Sequence, residues 1–265
     1  MAGGGGAVDD KAVAKLMPEL RKKLMQKCAD DKTIFDAHCW YTNYMQETEG
    51  FKALTSAMDK NGIGYAAICG TAFKKTWVGE TDAEGKPKER SKPPVHHLYD
   101  DGDLYYYSAT DGNLYRQLDM FKKTAGLEAI ARFSMMVCGL NLGDYSCGEE
   151  AKTLLENYPM AQGFGVVTLQ SDDINNVTIK GGNWTYTEPS TKKIIAVCAA
   201  NKKPFVFYSD ARSSTSKPYR VDFEYIDEVE MVCTHAQTFK PAVKCLWSAA
   251  GVFARGNWAG VCPSH

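Results

Sequence analysis

Short apolar runs alternate with helical segments six times along this chain, and that alternation limits the fold more than any single motif. The runs fall at 33–40, 65–70, 133–139, 165–170, 204–208 and 243–247. Between them, helices are expected at 49–60, 113–124, 149–158, 189–201 and 222–235. The first of these puts Phe51, Leu54, Ala57 and Met58 on one face, and Asn61-Gly62 ends it. Another helix is expected ahead of the first run, capped by Asp9 or Asp10 and reaching Lys27. It carries Val13, Leu16, Leu20 and Leu24 at helical spacing, and Pro18 is placed to kink or split it. The run Tyr65-Ala66-Ala67-Ile68-Cys69 is apolar throughout, as suits a parallel strand covered on both faces.

The pattern predicts an α/β chain with a parallel sheet. Right-handed crossovers can wind such a sheet into a barrel or into an open doubly wound form. No G-x-G-x-x-G follows the first run, which disfavours a dinucleotide-binding sheet, and Gly181-Gly182 opens no phosphate-cradling motif. The expectation is therefore TIM-barrel-like (β/α) repeats forming an incomplete barrel of about six parallel strands. Residues 1–30 read as a tail and helix, and 31–265 as the barrel domain. A long polar insertion at 71–112 carries Pro87, Pro93 and Pro94, and Tyr105, Tyr106 and Tyr107 suggest that its second half packs.

Charge narrows the partners. With 31 basic and 32 acidic residues the chain has no cationic excess to neutralise phosphates, so nucleic acid is not expected. The run 86–92 mixes lysines with Glu89 and Arg90 and reads as a solvated loop. Nine cysteines, an odd count with no C-x-x-C pair, suggest neither a disulfide framework nor a zinc knuckle. A reducing, intracellular compartment is expected, the cytoplasm being the simplest. No run approaches a membrane span of roughly 20 apolar residues. The glycine-rich start lacks the basic and apolar regions of a secretory signal.

Function in barrels of this kind sits at the carboxyl ends of the strands. The first run ends in Ala37-His38-Cys39-Trp40, which aims a histidine at that place. Gln170 ends the fourth run. Asp172 and Asp173 follow it as base, cation ligand or turn cap. Trp184 and Tyr186, in the next loop, line a pocket or merely pack it. Tyr208 ends the fifth run. Asp210 follows as a general base and Arg212 as a fork for a carboxylate, or the two form an ion pair that ties down their loop. Vicinal His96 and His97 diverge too much to chelate together and read as surface residues. His235 suits a helix C-terminus.

Phe35-Asp36-Ala37-His38 resembles the opening of the amidohydrolase-type metal-dependent hydrolases. Pro204-Phe205-Val206-Phe207-Tyr208-Ser209-Asp210-Ala211 resembles the fifth strand of that family, and Leu246-Trp247-Ser248-Ala249-Ala250-Gly251-Val252 its sixth. The resemblance spans about residues 33 to 258. It implies a TIM barrel and a divalent metal, zinc or manganese, held by strand-end histidines. It also implies a hydrolase or decarboxylase acting on a small organic acid, amide or lactone. His38 matches the first histidine of the family's H-x-H and would be both metal ligand and catalytic residue. The second histidine position is Trp40, the fifth-strand ligand falls near Tyr208, and the sixth near Ser248 or Ala249. The eighth strand, with the family's catalytic aspartate, falls beyond His265. Two expectations stand together. Either the chain is an active enzyme with catalytic Asp210 and His38 and a small molecule bound by Trp40, Gln170, Asp172, Trp184, Tyr208 and Arg212, or it is a silent relative serving as a binding or structural subunit. An apolar sixth strand without proline is a poorly defended edge, so a homo-oligomer or a protein partner is expected.

Overall fold

A computed structural model describes residues 10–42, 47–70, 74–76, 83–84, 95–98, 108–170, 179–181, 189–209 and 223–248. In chain order the elements are α1 (Asp10–Asp30), β1 (Ile34–Trp40), α2 (Gly50–Lys60), β2 (Ile63–Cys69), β3 (Lys74–Thr76), β4 (Val95–Leu98), α3 (Ser108–Ala125), α4 (Leu127–Ala131), β5 (Phe133–Val137), α5 (Cys147–Asn157), β6 (Ala161–Gln170), β7 (Ile179–Gly181), α6 (Pro189–Asn201), β8 (Phe205–Ser209), α7 (Phe223–Gln237) and β9 (Cys245–Ser248).

Six strands form one parallel sheet in the order β1-β2-β5-β6-β8-β9. Each new strand is added on the same side of the last, so strand order never reverses as it does in a doubly wound sheet. Right-handed crossovers running one way place the helices on one face. The other face is left concave, and the sheet is a parallel half-barrel.

The core divides accordingly. On the convex face, Phe51 and Met58 of α2, Leu114 and Leu118 of α3 and Ile130 of α4 bury Ala66 and Ile68 of β2 and Phe133 and Met135 of β5. Farther along, Ala151 and Leu154 of α5, Ile194 and Cys198 of α6 and Val232 of α7 cover Phe164, Phe205 and Phe207. Ring stacking continues this layer, with Phe51 against Tyr41 at 4.3 Å and against Phe121 at 5.3 Å between centroids. The concave face carries a thinner cluster of Cys69, Met136, Val166, Val206 and Tyr208.

Three sequence expectations are corrected. Helix α1 runs unbroken through Pro18, with Val13 and Met17 buried in the α2–α4 cluster, so the N-terminal helix shares the barrel's core. The helix expected at 113 begins at Ser108, so residues 108–112, expected as the end of the polar insertion, are helical. Strand β6 begins at Ala161, although Gln162 and Gly163 interrupt its apolar run. A Cβ at Gly163 would lie 2.7 Å from the Pro204 carbonyl oxygen, so the gap in the pattern is a close approach of two strands.

The insertion also has structure. Strand β3 pairs antiparallel with β4, and β4 pairs parallel with β7, His96 opposite Ile179 and His97 opposite Lys180. Since β3 and β4 follow β2 and β7 follows β6, this small sheet joins the segments that leave the carboxyl ends of two strands. Tyr105, Tyr106 and Tyr107 lie outside the described residues. Among the described residues no helix is long and apolar enough to cross a membrane, and eight cysteines are free thiols.

Candidate functional site

The carboxyl ends of β1, β2, β5, β6 and β8 form the rim of the half-barrel. On β1, the Asp36 carboxylate accepts the backbone N–H of His38 at 3.0 Å, and the ladder with β2 slips between Asp36 and Cys39. The His38 ring meets Trp40 edge-on, with centroids 5.3 Å apart. Burial lowers the His38 pKa, against an opposing pull from Asp36, so the ring is a neutral imidazole near pH 7. Trp40 is 47% exposed, an apolar ring at the rim that burial does not account for.

Across the sheet, Thr168 stands opposite Tyr208, and Gln170 opposite Ser209, so the ends of β6 and β8 are level. Tyr208 is buried in the concave cluster beside Cys69, Met136, Val166 and Val206. From the end of β8 it floors the trough. Strand β1 is three strands from β6 and four from β8. At about 4.8 Å per strand, that is about 14 and 19 Å along the arc. The sequence-derived positions therefore fall into two groups, His38 with Trp40 on the β1 wall, and the β6 end at Gln170 on the other wall with Tyr208 on the floor below it. Asp172, Asp173, Trp184, Tyr186, Asp210 and Arg212 lie outside the described residues.

Between the two walls is a residue the sequence reading passed over. Asp111, fully buried near the start of α3, accepts the backbone N–H groups of Cys138 at 3.0 Å and Gly139 at 2.7 Å, immediately past β5. Cys138 Sγ in turn donates to the Gly70 carbonyl at 3.3 Å, just past β2. Burial pushes the Asp111 carboxyl up to about 6, although the two backbone donors favour its ionised form. Beside it, burial raises the thiols of Cys69 and Cys138 well above their ordinary range. These are inert packing thiols, and Asp111 is a positioning residue that fixes the rim between β2 and β5. Tyr41 ties the end of β1 to α3 by donating to Gln117 Oε1 at 2.7 Å. In the sequence Asp111 falls at the end of the polar insertion, where no local pattern sets it apart from other acids.

The metal that the amidohydrolase resemblance implies requires three or four protein ligands if it is zinc. Among the described residues His38 alone stands where that family places a ligand, and no group of three His, Cys, Asp or Glu side chains converges on one point. The described donor set does not fit such a centre. A shallow groove of about 610 Å³ between α5 and α6, lined by Tyr145, Lys152, Glu156, Lys193 and Asn201, lies on the convex helical face and is separate from the trough.

No protein-family model matches the chain, and no curated protein matches it.

Proposed function

We propose that the chain is an amidohydrolase-like hydrolase or decarboxylase that binds a small organic acid, amide or lactone in the trough at the strand carboxyl ends. The observation that supports this most is His38. It is a neutral imidazole at the end of the first strand of a consecutively wound parallel half-barrel, where α/β barrels place their chemistry. A neutral ring accepts a proton from water or from a substrate group, and in this reading His38 does so while Trp40 packs against the ligand's apolar part. Asp210 serves as a second base and Arg212 holds a carboxylate through its fork, roles that rest on the sequence alone. In this reading the small β3-β4-β7 sheet, which joins the segments after β2 and β6, helps exclude water from the trough.

The second reading is a silent relative that binds a ligand or a partner subunit. Trp40 in place of the second histidine, and the lack of converging ligands among the described residues, favour it. Elemental analysis after exhaustive dialysis, paired with turnover of a panel of small amides, lactones and aromatic acids, separates the two. The enzyme reading expects turnover that His38→Ala abolishes while the fold is kept. Absence of turnover with and without added zinc or manganese, at unchanged ligand binding, refutes it in favour of the silent subunit.

A further inference from the structure

At the opposite, amino end of the half-barrel the chain buries positive charge with no acid paired to it among the described residues. Helix α1 crosses beneath β2 and β5, and Met17 on its inner face is only 1% exposed. Arg21 is one helical turn further on, so the same face carries its guanidinium inward and leaves it 8% exposed. Its Nη2 donates to the Phe133 carbonyl at 2.9 Å, and its Nε and Nη1 are buried with no hydrogen-bond partner among the described residues. Half-buried Lys203, just before β8, donates through Nζ to the Ala161 carbonyl at 2.8 Å. Phe133 and Ala161 open β5 and β6, which pair directly, so both cations stand under adjacent strands.

The two charges sense each other. Burial lowers the Lys203 pKa and the Arg21 charge lowers it further, while burial lowers that of Arg21. No carboxylate among the described residues pairs with either one. The neighbouring Arg132 is treated differently. It donates to the Ile63 and Gly64 carbonyls at 2.9 and 3.2 Å and meets Asp59 at 2.7 Å. Close to Arg21, the Tyr65 hydroxyl is hydrogen-bonded to the Ser134 hydroxyl; one proton is used in that bond, and the other is left to donate. A buried cation short of partners is costly, and a planar guanidinium fork with two idle donors matches an oxyanion.

We infer that the amino end of the half-barrel binds a small oxyanion between Arg21 and Lys203, with the Tyr65 and Ser134 hydroxyls beside it. A carboxylate and a phosphate both satisfy this donor set. The site is separate from the trough and does not depend on the function proposed for it. Because Arg21 belongs to α1 while Lys203 leads into β8 and is bonded to the start of β6, an anion there fastens the N-terminal helix to the sheet. Anything that binds the folded chain alone raises its stability in proportion to occupancy.

The full chain should show a saturable rise in melting temperature with inorganic phosphate or with acetate, compared with chloride at matched ionic strength. A response to phosphate alone identifies a phosphate-type ligand, and a response to acetate a carboxylate. Isothermal titration with the responding anion should give one site per chain. Lys203→Met and Arg21→Met should each weaken it by about ten-fold or more, the loss of one charged hydrogen-bond donor. Lys203→Met serves as the control on folding, since its side chain is only half-buried and its cooperative melt should persist. Equal responses to chloride, phosphate and acetate, or an anion response unchanged in Lys203→Met, would overturn the inference.

Discussion

Replacing Asp111 by asparagine should change how the stability of this protein depends on pH. The carboxyl is fully buried and its pKa rises from an ordinary 3.8 to about 6, chiefly because burial penalises the charged form. A carboxyl whose folded value exceeds its unfolded value stabilises the fold through its protonated form. That stabilisation is complete below about pH 4 and is lost as pH rises through about 6. The displacement corresponds to about 3 kcal/mol. Asparagine is neutral throughout. It keeps one acceptor but turns an amide N–H₂ toward the N–H of Cys138 or Gly139, leaving a buried donor unmatched at a cost of about 1–3 kcal/mol. Wild type should therefore exceed Asp111→Asn in stability at about pH 4, and the gap should shrink by about 3 kcal/mol by about pH 7.5. Urea unfolding of both proteins across that range measures it, and taking the difference cancels every other titrating group. A gap that stays constant with pH would show that Asp111 titrates like an exposed carboxyl and that its burial has been misread.

Gly163→Ala should cost about 1–3 kcal/mol, because the added methyl meets Met136 Cε and the Pro204 carbonyl oxygen at 2.7 Å; thermal melts decide it. Arg132→Met removes two donors to β2 carbonyls and should cost about 2–4 kcal/mol in urea titrations, while Asp59→Asn should cost under about 1 kcal/mol, since that carboxylate is exposed. Light scattering should show self-association that weakens in Phe35→Lys, because the edge strand β1 exposes Ile34 and Phe35 and the opposite edge strand β9 exposes Leu246. A monomer at every concentration would count against it.

The strand–helix alternation was legible because parallel strands buried on both faces leave near-continuous apolar runs, as at 65–69 and 205–208. The consecutive strand order was not, since both windings share the same local pattern; only the pairing of β2 with β5 and of β6 with β8 distinguishes them. His38 and Trp40 could be placed at the rim because a strand end is a local signal. Asp111 could not be placed. Its partners Cys138 and Gly139 are 27 and 28 residues away, and its burial follows from α3 packing against β5. Arg21 has the same logic at greater range, with its acceptor 112 residues along the chain. Periodicity marks it only as the next turn of an amphipathic stripe, where an arginine reads as the edge of the polar face.

The two faces of the sheet should differ in what they contribute to stability, and adjacent residues of β5 can show it. Met135 points to the convex face and is wholly buried among Phe51, Leu118 and Phe133; Met136 points to the concave face, 5% exposed, in the thin cluster with Val166 and Val206. The residues are chemically identical and share a backbone environment, so propensity and strand position cancel in the comparison. Methionine-to-alanine changes in a core cost about 2–5 kcal/mol, and the spread reflects how far the surroundings collapse or admit solvent. Behind Met135 lie packed helices that cannot close a void without moving. Behind Met136 lies the trough, where water can enter a truncated site. Met135→Ala should therefore fall near the upper end of that range and Met136→Ala near the lower end, as read from urea midpoints at unchanged slope. Equal costs, or a reversed order, would mean that the concave face is packed as a closed barrel interior. The trough would then hold no space for a ligand.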